Sequence, residues 1–159
     1  MEVKKAENYF ELILDNNLFL LDPLRIPKND CPIILTDFER KTNKNKIFNS
    51  PGEYSVFDVY FWGVENKNSI VYIFESQEGN LLYSSFPLQE ECLKKIRLIK
   101  KEFDCLFFIN FFQEDLINLF KPKVVLSDKS IKIVKFENQK GDKIKINLKK
   151  VNNLIFTFV

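Results

Sequence analysis

The sequence predicts an α/β protein in which two stacked β-sheets carry helices on the outside. Short apolar runs bounded by Asn, Asp, Gly and Pro dominate the first half of the chain, which is typical of strands joined by tight turns. The order strand, helix, strand, helix, strand follows over residues 81–127 and indicates βαβ units. A chain of 159 residues, 45% of them hydrophobic and without a linker or an internal repeat, predicts one domain over residues 1–159.

Hairpins are expected in the first half of the chain. Strands near residues 9–14 and 18–22 flank the turn sequence Asp15-Asn16-Asn17, and Asp22-Pro23 closes the second strand. Further apolar runs of strand length predict strands near residues 33–36, 54–62, 69–75 and 81–84.

Two helices are predicted in the second half. Pro87 with acidic residues after it is a favourable helix start, and apolar side chains then recur at helical spacing, which predicts a helix near residues 88–103. A second helix is expected near residues 113–120 and ends before Pro122.

The strands between and after these helices are predicted to be buried or half-buried. A continuous apolar run at residues 105–109 and a shorter one at residues 124–126 are typical of strands covered on both faces, which predicts strands near residues 105–109 and 123–127. Lysines alternate with apolar residues over residues 131–136 and 143–148, which predicts two more strands with lysines on the solvated face.

Positive charge is concentrated near the C-terminus. Residues 1–120 hold 14 Lys and Arg against 19 Asp and Glu, whereas residues 121–150 hold 10 against 3. We interpret most of these lysines as the solvated face of half-buried strands. The alternative is a nucleic-acid interface, whose candidate contacts are Lys121, Lys123, Lys129 and Lys132.

The absence of histidine restricts the possible chemistry of this protein more than any other feature of its composition. There is no histidine, which excludes catalytic triads with an imidazole base and the histidine-rich zinc and iron sites of many hydrolases and oxygenases. Four glycines are too few and too scattered for a G-x-G-x-x-G or Walker-type loop. Cys31, Cys92 and Cys105 form neither a disulfide framework nor a four-cysteine zinc site.

The same composition gives an expected location. An odd number of cysteines is typical of a reducing compartment. The charged N-terminus does not resemble a signal peptide, and no uncharged apolar stretch of about 18 residues occurs. We therefore expect a cytoplasmic protein without a membrane partner.

Several segments resemble, in order, the metallo-β-lactamase-fold hydrolases, in the small branch related to ascorbate-6-phosphate lactonase. Ser50-Pro51-Gly52-Glu53-Tyr54 resembles the P-G-E-Y segment of that family, which is the most specific match. Asp104 to Ile109 resembles its V-D-V-L-F-I-P strand, and Pro122 to Leu126 its I-K-P-K-I-V-I-P strand. The resemblance covers nearly the whole chain and implies a reduced αββα sandwich with two main helices.

Family members hydrolyse esters, lactones or phosphodiesters with one or two divalent metals, usually zinc or manganese, bound by an H-x-H-x-D-H loop and later ligands. In this sequence the corresponding loop, Thr36 to Thr42, contains no histidine, and Lys41 stands where the ligand aspartate would be. The resemblance implies a vestigial metal site at Asp37, Glu39, Lys41, Thr42, Asp128 and Lys129.

These positions support one hypothesis and leave two alternatives open. The favoured hypothesis is a protein without catalytic residues or a metal cofactor that binds or assembles with a protein partner or with itself. The first alternative is a metal-dependent hydrolase in which Asp37, Glu39 and Asp128 bind magnesium or manganese through oxygen atoms. The second alternative is the nucleic-acid interface described above.

Overall fold

The computed structural model describes residues 1–28, 30–37 and 46–159, which form fourteen strands and two helices. The strands are β1 (Glu2–Lys5), β2 (Phe10–Leu14), β3 (Asn17–Leu21), β4 (Ile33–Ile34), β5 (Ile47–Phe48), β6 (Gly52–Val56), β7 (Val59–Asn66), β8 (Ser69–Ser76), β9 (Gly79–Ser84), β10 (Cys105–Phe108), β11 (Val124–Ser127), β12 (Glu137–Gly141), β13 (Lys143–Lys145) and β14 (Leu154–Phe158). The helices are α1 (Glu90–Ile99) and α2 (Asp115–Phe120).

The strands form two mixed sheets. One sheet has six strands in the order β13-β1-β2-β3-β4-β5, and the other has eight in the order β12-β14-β11-β10-β9-β8-β7-β6. β2 and β3 pair as the predicted antiparallel hairpin. β9, β10 and β11 are mutually parallel and are connected through α1 and α2, which confirms the predicted βαβ units.

An apolar core lies between the two sheets, and a second cluster lies beneath the helices. The first contains aromatic side chains from both sheets, among them Phe10 and Phe107, whose ring centroids are 5.2 Å apart. In the second, Ile96 of α1 and Phe120 of α2 pack on the outer face of the eight-stranded sheet. This architecture confirms the predicted fold class, a strand-rich α/β protein with two helices and two stacked sheets. None of the described helices is both long and apolar enough to span a membrane.

Two predicted strands are wrong. Residues 54–62 form parts of β6 and β7 rather than one strand, because the chain reverses at Phe57, whose φ is +56°. Residues 131–136 form no strand. There Lys135 has a φ of +82°, and the apolar side chains of Ile131 and Phe136 pack from a loop against the cluster beneath the helices. The predicted strand over residues 143–148 is shortened to β13.

Both helices are shorter than predicted. α1 ends at Ile99 because Lys100 is extended, with a φ of −152°. Phe103, which the helical spacing included, lies in the following loop and packs edge-on against Phe120 with ring centroids 5.0 Å apart. Before α2, the Gln113 side chain accepts a hydrogen bond from the Leu88 N–H at 3.0 Å and lies outside the helix.

Candidate functional site

A pocket of about 360 Å³ opens where strands from both sheets end. Its lining includes residues that follow β3 and β4 in the six-stranded sheet and residues that follow β9, β10 and β11 in the eight-stranded sheet. The loop between β1 and β2 forms another side. Because ligand sites of α/β proteins lie at the carboxyl ends of parallel strands, this pocket is the candidate functional site.

Asp22 lines this pocket and is the centre of a hydrogen-bond network. Its Oδ1 accepts the Thr36 N–H at 2.7 Å, and its Oδ2 accepts the hydroxyl groups of Thr36, Tyr83 and Ser85 at 2.7, 2.5 and 2.7 Å. Asp22 and Thr36 follow β3 and β4, whereas Tyr83 and Ser85 belong to β9 and its end. The four hydrogen bonds therefore connect the two sheets, and we call this set the Asp22 network.

Tyr83 keeps its proton under all ordinary conditions. The side chain is fully buried, and burial raises the pKa of its hydroxyl well above the usual value. The negative charge of Asp22 and the hydrogen bond to that carboxylate raise the pKa further. The Tyr83 hydroxyl is therefore a permanent hydrogen-bond donor to Asp22.

The structure brings two of the residues predicted for the vestigial metal site, Asp37 and Asp128, to this pocket. Asp37 follows β4 and forms an antiparallel bridge with Ser69 at the start of β8. Asp128 follows β11, and its Oδ1 accepts the N–H of Asn110 at 2.8 Å. Both carboxylates are therefore attached to the ends of strands that define the pocket.

The other four predicted positions do not add to this arrangement. Glu39, Lys41 and Thr42 lie outside the described residues. Lys129 is exposed, and its backbone N–H donates to the Ser127 hydroxyl at 3.0 Å. Lys129 does not line the pocket.

The lysines predicted for a nucleic-acid interface differ in their surroundings. Lys123 is half-buried, and its Nζ lies 2.7 Å from Asp104 Oδ1 in an ion pair that compensates its charge. Lys121, Lys129 and Lys132 are exposed. Lys121 ends α2 in a left-handed conformation with a φ of +49°. The nucleic-acid interface stays a prediction.

Comparison with known proteins identifies the fold. No protein-family model matches the sequence, and no curated protein matches it. A crystal structure from Thermotoga maritima, described as a Zn-dependent hydrolase of the metallo-β-lactamase superfamily, matches with a TM-score of 0.72 and 17% identity over all of both chains. This chain has the metallo-β-lactamase fold. At 17% identity the likeness shows the fold alone, so the branch related to ascorbate-6-phosphate lactonase stays a prediction.

The described residues of this metallo-β-lactamase fold do not fit a zinc ion. Zinc in proteins is bound by imidazole, thiolate and carboxylate groups, and this sequence has no imidazole. Within residues 1–28, 30–37 and 46–159, no three or more Cys, Asp or Glu side chains are grouped so that they could hold a metal ion. The Asp22 carboxylate in the pocket already accepts four hydrogen bonds from protein groups.

Sequence reasoning missed the Asp22 network. Asp22 was predicted only as the residue that closes a hairpin, and Ser85 carried no role. The partners of Asp22 are 14, 61 and 63 residues away, so no local pattern joins them. The one available signal was the Asp-Pro pair at the end of β3, where an aspartate is a frequent acceptor for nearby backbone N–H groups.

Proposed function

We propose that this chain is a non-hydrolytic binding protein that uses the pocket of a metallo-β-lactamase fold without a catalytic metal. The observation that carries the proposal is the chemistry of the carboxylates. The sequence supplies no histidine, and Asp22 and Asp128 accept hydrogen bonds from protein groups in the same pocket. The pocket is present, but these two carboxylates already accept hydrogen bonds from the protein.

The reason is the demand that metal hydrolysis places on a site. A metal lowers the pKa of a bound water and stabilises the developing oxyanion only when a preformed cluster of neutral imidazoles and carboxylates holds it. To become a ligand, Asp22 would lose hydrogen bonds to a charged acceptor, each of which contributes about 1.5–3 kcal/mol. The fully buried Tyr83 hydroxyl would then lose its acceptor. The network therefore favours a structural role for this carboxylate over a metal-binding one.

A hydrolysis assay tests the proposal. The purified chain is incubated with bis(p-nitrophenyl) phosphate or a chromogenic lactone, with zinc or manganese added, and compared with a metal-loaded hydrolase of the same fold. We expect no turnover above buffer. Metal-dependent turnover that Asp37→Asn or Asp128→Asn reduces would overturn the proposal, because those changes remove charge from the pocket.

A second candidate is a hydrolase that binds magnesium or manganese through oxygen atoms. It is favoured by the placement of Asp37 and Asp128 in one pocket, since carboxylate oxygens are the ligands these ions prefer. It predicts that magnesium or manganese raises the melting temperature and that Asp37→Ala combined with Glu39→Ala removes the rise. A melting temperature that neither ion changes would reject this candidate.

A further inference from the structure

The lining of the pocket described above is acidic, although the whole chain carries a formal net charge of +2. Among the described residues, one basic side chain, that of Lys5, is part of the lining. The carboxylates that line it are those of Glu7, Asp22, Asp37 and Asp128. The lining formed by residues 1–28, 30–37 and 46–159 therefore has a formal charge of −3 on a weakly basic protein, and clefts with one sign of charge concentrate ligands of the opposite sign.

The three hydroxyl groups of the Asp22 network are used as hydrogen-bond donors within the protein. The hydroxyls of Thr36, Tyr83 and Ser85 all donate to Asp22. An anionic ligand needs donors, and these are committed to an internal carboxylate. Together with the charge count, the use of these hydroxyls by Asp22 disfavours a phosphate or carboxylate ligand.

Aromatic rings complete the lining. Tyr9, Phe10 and Phe86 line the pocket together with the carboxylates, and Phe86 keeps 43% of its surface exposed. The face of an aromatic ring attracts a cation within about 6 Å of its centre, and quaternary ammonium groups are recognised in this way. Carboxylates and rings together are the chemistry that binds an organic cation.

From these three observations we infer that the pocket binds a small organic cation, an amine or quaternary ammonium compound with an apolar substituent. The inference rests on the proposed function, because a divalent metal ion in the same pocket would offset most of the negative charge that attracts a cation. The pocket volume of about 360 Å³ suits a small ligand and lies at the lower end of the range for small-molecule sites. Leu24 and Ile109 provide apolar contact area for the substituent.

Calorimetric titration with benzyltrimethylammonium tests the inference, with benzyl alcohol and benzoate as a neutral and an anionic ligand of related shape. We expect the cation to bind at least about tenfold more tightly than benzoate, which corresponds to about 1.4 kcal/mol. The affinity should also fall when the salt concentration rises from 0.05 to about 0.5 M, because salt screens the carboxylates. Equal affinity for benzoate, or no binding of the cation, would overturn the inference.

Two variants locate the site, and a third variant serves as the control. Asp128→Asn keeps an oxygen that can accept the Asn110 N–H but removes a charge, and Phe86→Leu keeps an apolar side chain but removes the ring. Each should weaken cation binding about three- to tenfold, as expected for a lost cation–π or charge contact. Asp58→Asn changes an exposed aspartate outside this pocket and should leave the affinity unchanged. If both pocket variants bind like Asp58→Asn, the inference is wrong.

Failure of this inference and failure of the proposed function give different results. Metal-dependent turnover would reject the proposed function whether or not the organic cation binds. No turnover and no cation binding would reject the inference alone and leave a non-hydrolytic protein whose ligand has a different chemistry.

Discussion

Removal of the Asp22 carboxylate is expected to cost a large part of the stability of the fold. Asp22→Ala takes the acceptor from the Thr36 N–H and from the Tyr83 hydroxyl, and these residues are 1% and 0% exposed. An unsatisfied buried donor costs about 1–3 kcal/mol, so the two together give about 2–6 kcal/mol. The Tyr83 hydroxyl also lies 3.2 Å from the Ser85 hydroxyl, a weaker contact that remains. We therefore expect a loss of about 2–4 kcal/mol in the free energy of unfolding.

Urea unfolding, followed by circular dichroism and by the fluorescence of Trp62, measures this loss. Asp142→Ala, which truncates an exposed aspartate, is the matched control and should change the free energy of unfolding by less than about 0.5 kcal/mol. Tyr83→Phe should cost more in the parent protein than in the Asp22→Ala protein, because its acceptor is already absent in the second case. Equal stabilities of Asp22→Ala and Asp142→Ala would show that the Asp22 network does not hold the sheets together.

Three further results are expected. Gly63→Ala should destabilise the pairing of β7 with the start of β6, because a Cβ at Gly63 would lie 2.5 Å from the backbone oxygen of Ser50; thermal unfolding measures this loss of stability. Burial opposes ionisation of Glu78, but its hydrogen bond from the N-terminal ammonium lowers the pKa below the usual 4.5. The stabilising effect of the ionised Glu78 side chain is present above about pH 4.5 and is lost as the pH falls through the lowered pKa. The stability deficit of Glu78→Gln should therefore shrink toward pH 3 in urea titrations. Burial raises the pKa of the Cys92 thiol to about 12, so iodoacetamide should label the half-buried Cys31 first, as mass spectrometry of the native protein would show.

Each of these results has its own control. Ser55→Ala alters an exposed residue on β6, and a Gly63→Ala protein of the same stability would contradict the close approach to Ser50. Glu102→Gln changes an exposed carboxylate and should show no comparable pH-dependent deficit; if its deficit follows that of Glu78→Gln, the ion pair is not the cause. Labelling of Cys92 before Cys31 would contradict the burial of the Cys92 thiol.

The parts of the fold that could be predicted are those with a local signal. The hairpin of β2 and β3 has a turn sequence between two apolar runs. β10 is an uninterrupted apolar run between the two helices, and β11 follows α2 with three consecutive apolar residues. The reversal at Phe57 was missed because a large apolar residue occupies a left-handed turn position that usually favours Gly, Asn or Asp. β12 was missed because its first four residues are exposed and polar and the fifth is Gly141, so neither alternation nor an apolar run marks it.

The candidate site was predictable only where a resemblance supplied long-range information. The family resemblance assigned Asp37 and Asp128 to the same vestigial site although 91 positions of sequence separate them. Both residues line one pocket in the structure. The Asp22 network was not predictable, because its hydroxyl partners reach Asp22 only after the two sheets stack. Side-chain hydrogen bonds across a sandwich leave no periodicity in the sequence.

The metal content of the purified chain tests the central claim most directly. The protein is prepared without chelators, equilibrated with an excess of zinc and manganese, freed of unbound ions by gel filtration and analysed by inductively coupled plasma mass spectrometry. A binding protein whose pocket carboxylates accept protein hydrogen bonds should retain less than about 0.1 metal ion per chain. Retention of one or two ions per chain, reduced by Asp37→Asn or Asp128→Asn, would contradict the account.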